Sequence, residues 1–250
     1  MERIDVLGVP VDVLNMDRAV RVILGWAEKK EARYVCIRDV HGVIRAHDDP
    51  EIMAIHERAD LVTPDGMPLV WLGRLRGHEQ MGRVSGSDLV DAVCASSVGR
   101  EVGHFFIGGK PGVADKMAGN LAAKYPGLRI AGTLSPPFTD MTPAEAGAIE
   151  QALIQSGASI IWVGLGTPKQ ELWMRDHVGR IPGATLIGVG AAFDFQAGNV
   201  PRAPRWMQRS GLEWVYRVMT EPRRLWKRYL LLAPRFIYLL ISASLKNVLN

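Results

Sequence analysis

The chain has 250 residues, 48% of them hydrophobic, and a formal net charge of +4, which is enough apolar content to bury a full core and excludes a disordered chain. Its two cysteines, Cys36 and Cys94, both lie inside apolar stretches, so a disulfide framework is excluded and a reduced compartment with two structural thiols is expected. The opening MERIDVLGVPVDVL carries charges and a proline where an export signal needs an unbroken apolar run, and secretion is not expected.

In chain order, the first predicted helix covers residues 16–30 and is capped by Asn15. An apolar β-branched run at 34–37 follows, then another at 60–63 and a short helix over 67–75. Next come a strand at 104–107, a helix over 111–125 with Pro111 in its first turn, and a strand at 128–131. Thr142 opens a helix over 143–156 that Gly157 stops, and strands at 160–163 and 185–189 complete the series. The strands are continuously apolar, as strands covered on both faces are. Their alternation with helices predicts parallel pairing and a Rossmann-like, doubly wound, mostly parallel α/β sheet.

Residues 1–199 are read as this catalytic body and 200–250 as a helical, membrane-associating appendage. The appendage holds ten Lys/Arg against two acids, Glu213 and Glu221, whereas the body holds twenty basic residues against twenty-four acidic ones. That asymmetry points to an anionic partner, a membrane surface or a polyphosphate. Residues 229–245 are nearly long enough to span a bilayer, but Pro234 and Arg235 stand at their centre, where an arginine costs about 3 kcal/mol. Two geometries fit: a helix pair lying on the bilayer with Trp226, Tyr229 and Tyr238 at headgroup depth, or a helix packed on the body with its basic face in water.

Ligands of such sheets bind outside the carboxyl ends of the strands, and glycines crowd those positions here. They are Gly66 after 60–63, Gly108-Gly109-Lys110 after 104–107, Gly164-Leu165-Gly166 with Lys169 after 160–163, and Gly190 before Asp194 after 185–189. Glycine at a strand-to-helix turn lets backbone N–H groups approach an anion, so these turns together predict a phosphorylated ligand. None is a standard nucleotide fingerprint.

Among the acids, Asp65 stands between Pro64 and Gly66 at a strand end. It is either a general base or the N-cap of helix 67–75, and spacing alone favours the cap. Asp39 and Asp194 are the other strand-end acids. No G-x-S-x-G elbow and no Asp-x-Asp metal pair occurs, so acyl transfer has little support, and no metal or other cofactor is expected. A leaving diphosphate would then be met by cations and helix N-termini. Arg83 offers one such charge, with Ser87 or Asp88 capping the helix after it; Arg217, Arg224 and Arg228 offer more, although Pro222 interrupts their helix.

Read together, the segments Thr-Pro-Asp-Gly-Met-Pro (63–68), Gly-Arg-Val-Ser-Gly-Ser-Asp-Leu (82–89), Phe-Phe-Ile-Gly-Gly-Lys-Pro-Gly-Val (105–113), Gly-Leu-Gly-Thr-Pro-Lys-Gln-Glu (164–171), 188–198 and 202–217 resemble the WecG/TagA/CpsF family of bacterial glycosyltransferases. The resemblance runs in order along nearly the whole chain. It implies an inverting, metal-independent transfer of a sugar from a UDP donor to a saccharide on undecaprenyl diphosphate. The step serves cell-envelope or exported polysaccharide synthesis, at the cytoplasmic face of the plasma membrane, with the protein held peripherally. It also implies Asp65 as the base, Gln170 as a donor contact, and Arg217, Arg224 and Lys227 as the diphosphate-binding positions. Asp39, Arg83, Gly108, Gly109, Lys110, Gly164, Gly166, Lys169 and Asp194 complete the expected donor side.

Many members carry Thr-x-Asn where this chain has Ile37-Arg38-Asp39. Asp39 accepts hydrogen bonds only and favours sugar hydroxyls over a uronate, with Arg38 as a possible offset, so a hexose is as good a donor as an acetamido sugar such as N-acetylmannosamine. Two other classes remain: a non-catalytic nucleotide- or nucleic-acid-binding module gripping phosphates with the basic aromatic tail, and a glycoside hydrolase pairing Asp65 with Asp39 or Asp194. The apolar continuation of the tail is of no use to a polynucleotide, and nucleic acid is not expected as a partner.

Overall fold

The computed structural model describes residues 1–137 and 141–249, with the side chains of Arg209, Arg224, Lys227, Arg228 and 244–249 outside the description. The chain opens with an antiparallel hairpin, β1 (Arg3–Val6) and β2 (Val9–Asp12). The body then runs α1 (Met16–Glu28), β3 (Arg33–Arg38), α2 (Val40–Asp48), α3 (Pro50–Arg58), β4 (Leu61–Pro64), α4 (Met67–Leu75), α5 (Gly86–Ser97), β5 (His104–Gly108), α6 (Val113–Lys124), β6 (Ile130–Leu134), α7 (Pro143–Ser156), β7 (Ile160–Gly164), α8 (Lys169–His177), β8 (Thr185–Gly188) and α9 (Ala192–Gln196). Four helices follow: α10 (Arg205–Arg209), α11 (Glu213–Thr220), α12 (Pro222–Leu230) and α13 (Leu232–Leu249).

Strands β3 to β8 form one six-stranded sheet in the order β4-β3-β8-β7-β5-β6, parallel throughout. The expected Rossmann-like α/β sheet is therefore present. Side chains alternate across it. Val35, Phe106, Ile160, Trp162 and Ile187 face a core completed by α1, α5, α6 and α9. Tyr34, Cys36, Ile107, Ile161 and Val163 face a second core, closed by the hairpin and by α2, α3, α7 and α8. Both cysteines are free and buried, and burial pushes the Cys36 thiol up to about 12, as suits an inert core residue.

Several expectations need adjustment. The hairpin and helices α2 and α3 lie outside the expected elements. The hairpin turns on Leu7 and Gly8, both at positive φ (56° and 89°), the conformation that a two-residue turn requires. Helix α6 starts at Val113 rather than 111, because Gly112 at φ 80° is left-handed and stands outside the helix as its cap. Strand β6 starts two residues later than expected, since Leu128 is taken up by a turn in which its N–H donates to the Tyr125 carbonyl (3.0 Å). Asn15 and Thr142 cap α1 and α7 as expected, the latter in a full capping box.

After α9 the helices α10 to α13 pack each on the next, and α13 reaches α2. Pro222 ends the α11 direction and starts α12, as expected. Helix α13 is packed on α2: Phe236 is buried in the second core, worth about 2 kcal/mol, and Arg235 makes a two-pronged ion pair with Asp48 at 2.5 Å on both arms. Arg235 thus ties this helix to the body. Among the described residues no helix is long and apolar enough to cross a membrane. Trp206, Trp226, Leu230, Leu231, Ile237 and Tyr238 remain exposed along this segment.

Candidate active site

Asp65 stands where β4 ends, and two backbone ties hold it there. Its own N–H donates to the Arg38 carbonyl at the end of β3 (2.7 Å), and the Val84 N–H donates to the Pro64 carbonyl (2.8 Å), which places Arg83 beside it. The N-cap of α4 is Gly66 and has no side-chain cap bond, so Asp65 does not cap the helix. Its carboxylate lies beside Arg83 at the carboxyl edge of the sheet and is partly open to solvent. Arg83 Nε donates to the Asp65 carbonyl (2.7 Å), and Arg83 Nη2 lies 3.4 Å from Asp65 Oδ1 and 2.6 Å from Glu213 Oε2 of α11.

Asp65 is enclosed by protein on most sides, yet 32% of its side chain is accessible. Desolvation pushes its pKa up to about 6; Asp39 and Glu213 push the same way, against Arg83 and Arg217. A carboxylate so tuned is a competent general base near neutral pH.

Arg217 of α11 acts on the same carboxylate. Its guanidinium lies over the Phe195 ring (5.5 Å), its Nη1 donates to the Tyr229 hydroxyl (3.5 Å), and its Nε–H is buried with no hydrogen-bond partner among the described residues. The guanidinium is therefore only partly satisfied within the protein. Tyr229 thus lies in contact with Arg217. Arg202 pairs with Asp88 (2.6 Å), and Ser85, not Ser87 or Asp88, caps α5, accepting from the Asp88 N–H (3.4 Å). The expected sites Arg224 and Lys227 lie on α12, and their side chains are outside the described residues.

Gln170 is buried in the first turn of α8, beside Gly188 and Gly190 at the end of β8. Its Nε2 donates to Glu171 Oε1 (2.9 Å), which fixes its Oε1 toward Gly190, where a Cβ would stand 3.4 Å away. That Oε1 has no partner among the described residues. Glu171 Oε1 also accepts from Arg38 Nη2 and from Thr167 Oγ1 (3.2 Å). Arg38 is thus 1% exposed and paired with that carboxylate. Burial of an arginine requires a counter-ion, and Glu171 is that ion, with the charge of Asp39 acting on Arg38 as well.

Asp39 caps α2, its Oδ1 accepting from the Gly42 N–H (2.9 Å), and its backbone flanks Gly66, which places it next to Asp65. Asp194 lies on α9, its Oδ1 accepting from Asn199 Nδ2 (3.5 Å). The glycine turns divide. A Cβ on Gly108 would stand 2.6 Å from the Gly164 backbone, one on Gly164 would stand 2.4 Å from Phe193, and one on Gly109 would meet Val113 at 2.9 Å. These three glycines therefore owe their identity to protein packing. Gly166, at φ 77°, faces open space. Lys110 and Lys169 are exposed at the rim.

Sequence reasoning missed Glu213, Glu171 and Phe195. For Glu213 a signal existed: it is one of two acids in an otherwise basic segment.

The open parallel α/β sheet thus carries, at the carboxyl edge where ligands of such sheets bind, a carboxylate of raised pKa and arginines from two parts of the chain. The chain belongs to the glycosyl transferase WecG/TagA/CpsF family, whose model matches residues 4–249, body and appendage alike. It is a glycosyltransferase of this type.

Proposed function

We propose that this glycosyltransferase moves a sugar from a UDP donor to a saccharide on undecaprenyl diphosphate, with inversion and without a metal, at the cytoplasmic face of the plasma membrane. The observation that carries the reading is the placement of Asp65: a carboxylate relieved of capping, raised toward neutrality, and faced by an appendage arginine with an unpartnered N–H.

Asp65 takes the proton from the acceptor hydroxyl, and that oxygen attacks the anomeric carbon as its bond to UDP breaks, inverting the centre. Negative charge then accumulates on the departing diphosphate. Arg217 meets it from above, with Arg224, Lys227, Lys110, Lys169 and the backbone at Gly166 as further contributors. Gln170 Oε1 accepts an N–H or O–H of the donor, while Asp39 and Asp194 accept sugar hydroxyls. Asp39 favours a hexose or acetamido sugar over a uronate. The 1–199 unit supplies the base, Lys110 and Lys169, and the 200–250 unit supplies Arg217, Arg224 and Lys227. The exposed Trp226, Leu230, Leu231, Ile237 and Tyr238 hold the enzyme at the bilayer, where its acceptor resides.

A donor screen tests the reading. UDP-hexoses, UDP-acetamido sugars and UDP-uronates are offered with a synthetic lipid-diphosphate sugar, and UDP release is followed. Turnover with one neutral donor, dependent on the lipid acceptor, is expected. Sugar release from the acceptor without any nucleotide would instead mark a hydrolase, and no turnover with any of these donors would overturn the proposed UDP donor or lipid acceptor.

A further inference from the structure

One of the two acids of the basic appendage lies beside Arg83. Glu213, the first residue of α11, places Oε2 2.6 Å from Arg83 Nη2, and the same nitrogen lies 3.4 Å from Asp65 Oδ1. The Nε side of Arg83 is pinned by the Asp65 carbonyl at 2.7 Å. The guanidinium is therefore held in place while its outer nitrogen is divided between two carboxylates, with the shorter contact going to Glu213. Glu213 and Arg83 are well shielded, with 16% and 18% of their side chains exposed, so their charges are felt at short range with little screening.

We propose that Glu213 is a positioning residue for Asp65: by engaging the outer nitrogen of Arg83, it keeps that arginine from closing onto Asp65 and so preserves the basicity that proton abstraction needs. The proposal rests on the reading of Asp65 as the base.

A carboxylate in full contact with an arginine loses one to three units of proton affinity, which would leave Asp65 ionised but a feeble base. Sharing the arginine weakens that pull, and the charge of Glu213 opposes ionisation of Asp65 directly. Four charged groups act on Asp65: Asp39 at the start of α2, Arg83 from the segment before α5, and Glu213 and Arg217 from α11. Two of the four belong to the appendage and carry opposite signs. Docking of α11 thus brings a cation for the diphosphate without disarming the base, because the accompanying acid offsets it.

The test is Glu213→Gln in the full-length chain. Glutamine keeps the size of the side chain but removes the charge that competes with Asp65 for the outer nitrogen of Arg83, so the guanidinium is free to close onto Asp65. Carboxyl NMR follows Asp65, its signal assigned by its loss in Asp65→Asn, alongside the pH profile of transfer. The expected result is that the Asp65 titration moves down by about one unit, the acid limb of kcat moves with it, and kcat on the plateau falls several-fold with KM little changed. An unshifted Asp65 titration, with any loss confined to KM, would overturn the proposal and leave Glu213 as a docking contact. The titration is read without catalysis, so a normal rate for Asp65→Asn would remove the base and leave the charge sharing intact.

Discussion

Arg38 at the end of β3 and Glu171 at the start of α8 form an ion pair with side chains 1% and 0% exposed, beside Gln170 of the proposed donor side. Burial alone would drive each toward its neutral form, and the charge of the partner overrides this for both. Arg38 Nε and Glu171 Oε2 have no partner among the described residues, so the pair is satisfied along one edge only. Breaking it by Arg38→Met strands a buried carboxylate and is expected to cost about 3 to 5 kcal/mol. Urea unfolding measures the loss, and Arg38→Met combined with Glu171→Leu should recover most of it.

The same pair governs Gln170. Glu171 accepts only, so the carboxamide must turn its N–H₂ inward and its oxygen toward Gly190. Glu171→Gln removes that constraint and allows the amide to flip. Titration calorimetry should then show weaker binding of the UDP-sugar by about tenfold, near the 1.4 kcal/mol of one hydrogen bond, and Gln170→Leu should show at least as much.

The appendage separates attachment from chemistry. Arg217 lies over Phe195 with its Nε–H unpartnered, whereas the exposed apolar side chains lie along α12 and α13. Arg217→Glu should leave sedimentation with anionic vesicles unchanged and reduce transfer by about 100-fold or more. Replacing Leu230, Ile237 and Tyr238 together by serine should do the reverse, weakening vesicle binding while sparing turnover of a short-chain soluble acceptor.

Acid stability follows from three buried groups with opposing signs. His56 and His104 are held down to about 4 by burial, against 6.5 when unfolded, so their contribution is present above pH 6.5 and lost as pH falls toward 4. His104 is a satisfied core residue, accepting from the Trp162 indole N–H (3.1 Å) and bonded to Ser97 (2.8 Å). Asp65, raised from 3.8 to about 6, works the other way: ionising it in the folded state costs stability as pH rises from 3.8 to 6. Asp65→Asn should therefore unfold at higher urea than wild type at pH 7, and the advantage should vanish near pH 4.

The sheet was legible because its strands are unbroken apolar runs, a pattern that survives without knowledge of partners. The hairpin was not, since Ile4, Val6, Val9 and Val11 alternate around Leu7-Gly8 and the turn depends on a positive φ at leucine. At the site, Asp65 stood out by its place at a strand end, but its freedom from capping depended on Gly66 taking that position. Arg38 misled for the opposite reason. A charged residue at a strand end reads as a ligand group, and only the long-range contact with Glu171, 133 residues away, makes it structural. Glu213 was hidden likewise, because nothing local ties α11 to Arg83.

The most direct test of the account is the transfer rate of Asp65→Asn, with UDP release measured at pH 7.5 on a lipid-diphosphate acceptor and UDP binding measured in parallel. The account predicts a rate lower by roughly 100- to 10,000-fold with UDP affinity retained. A normally folded Asp65→Asn enzyme that transfers at the wild-type rate would contradict it.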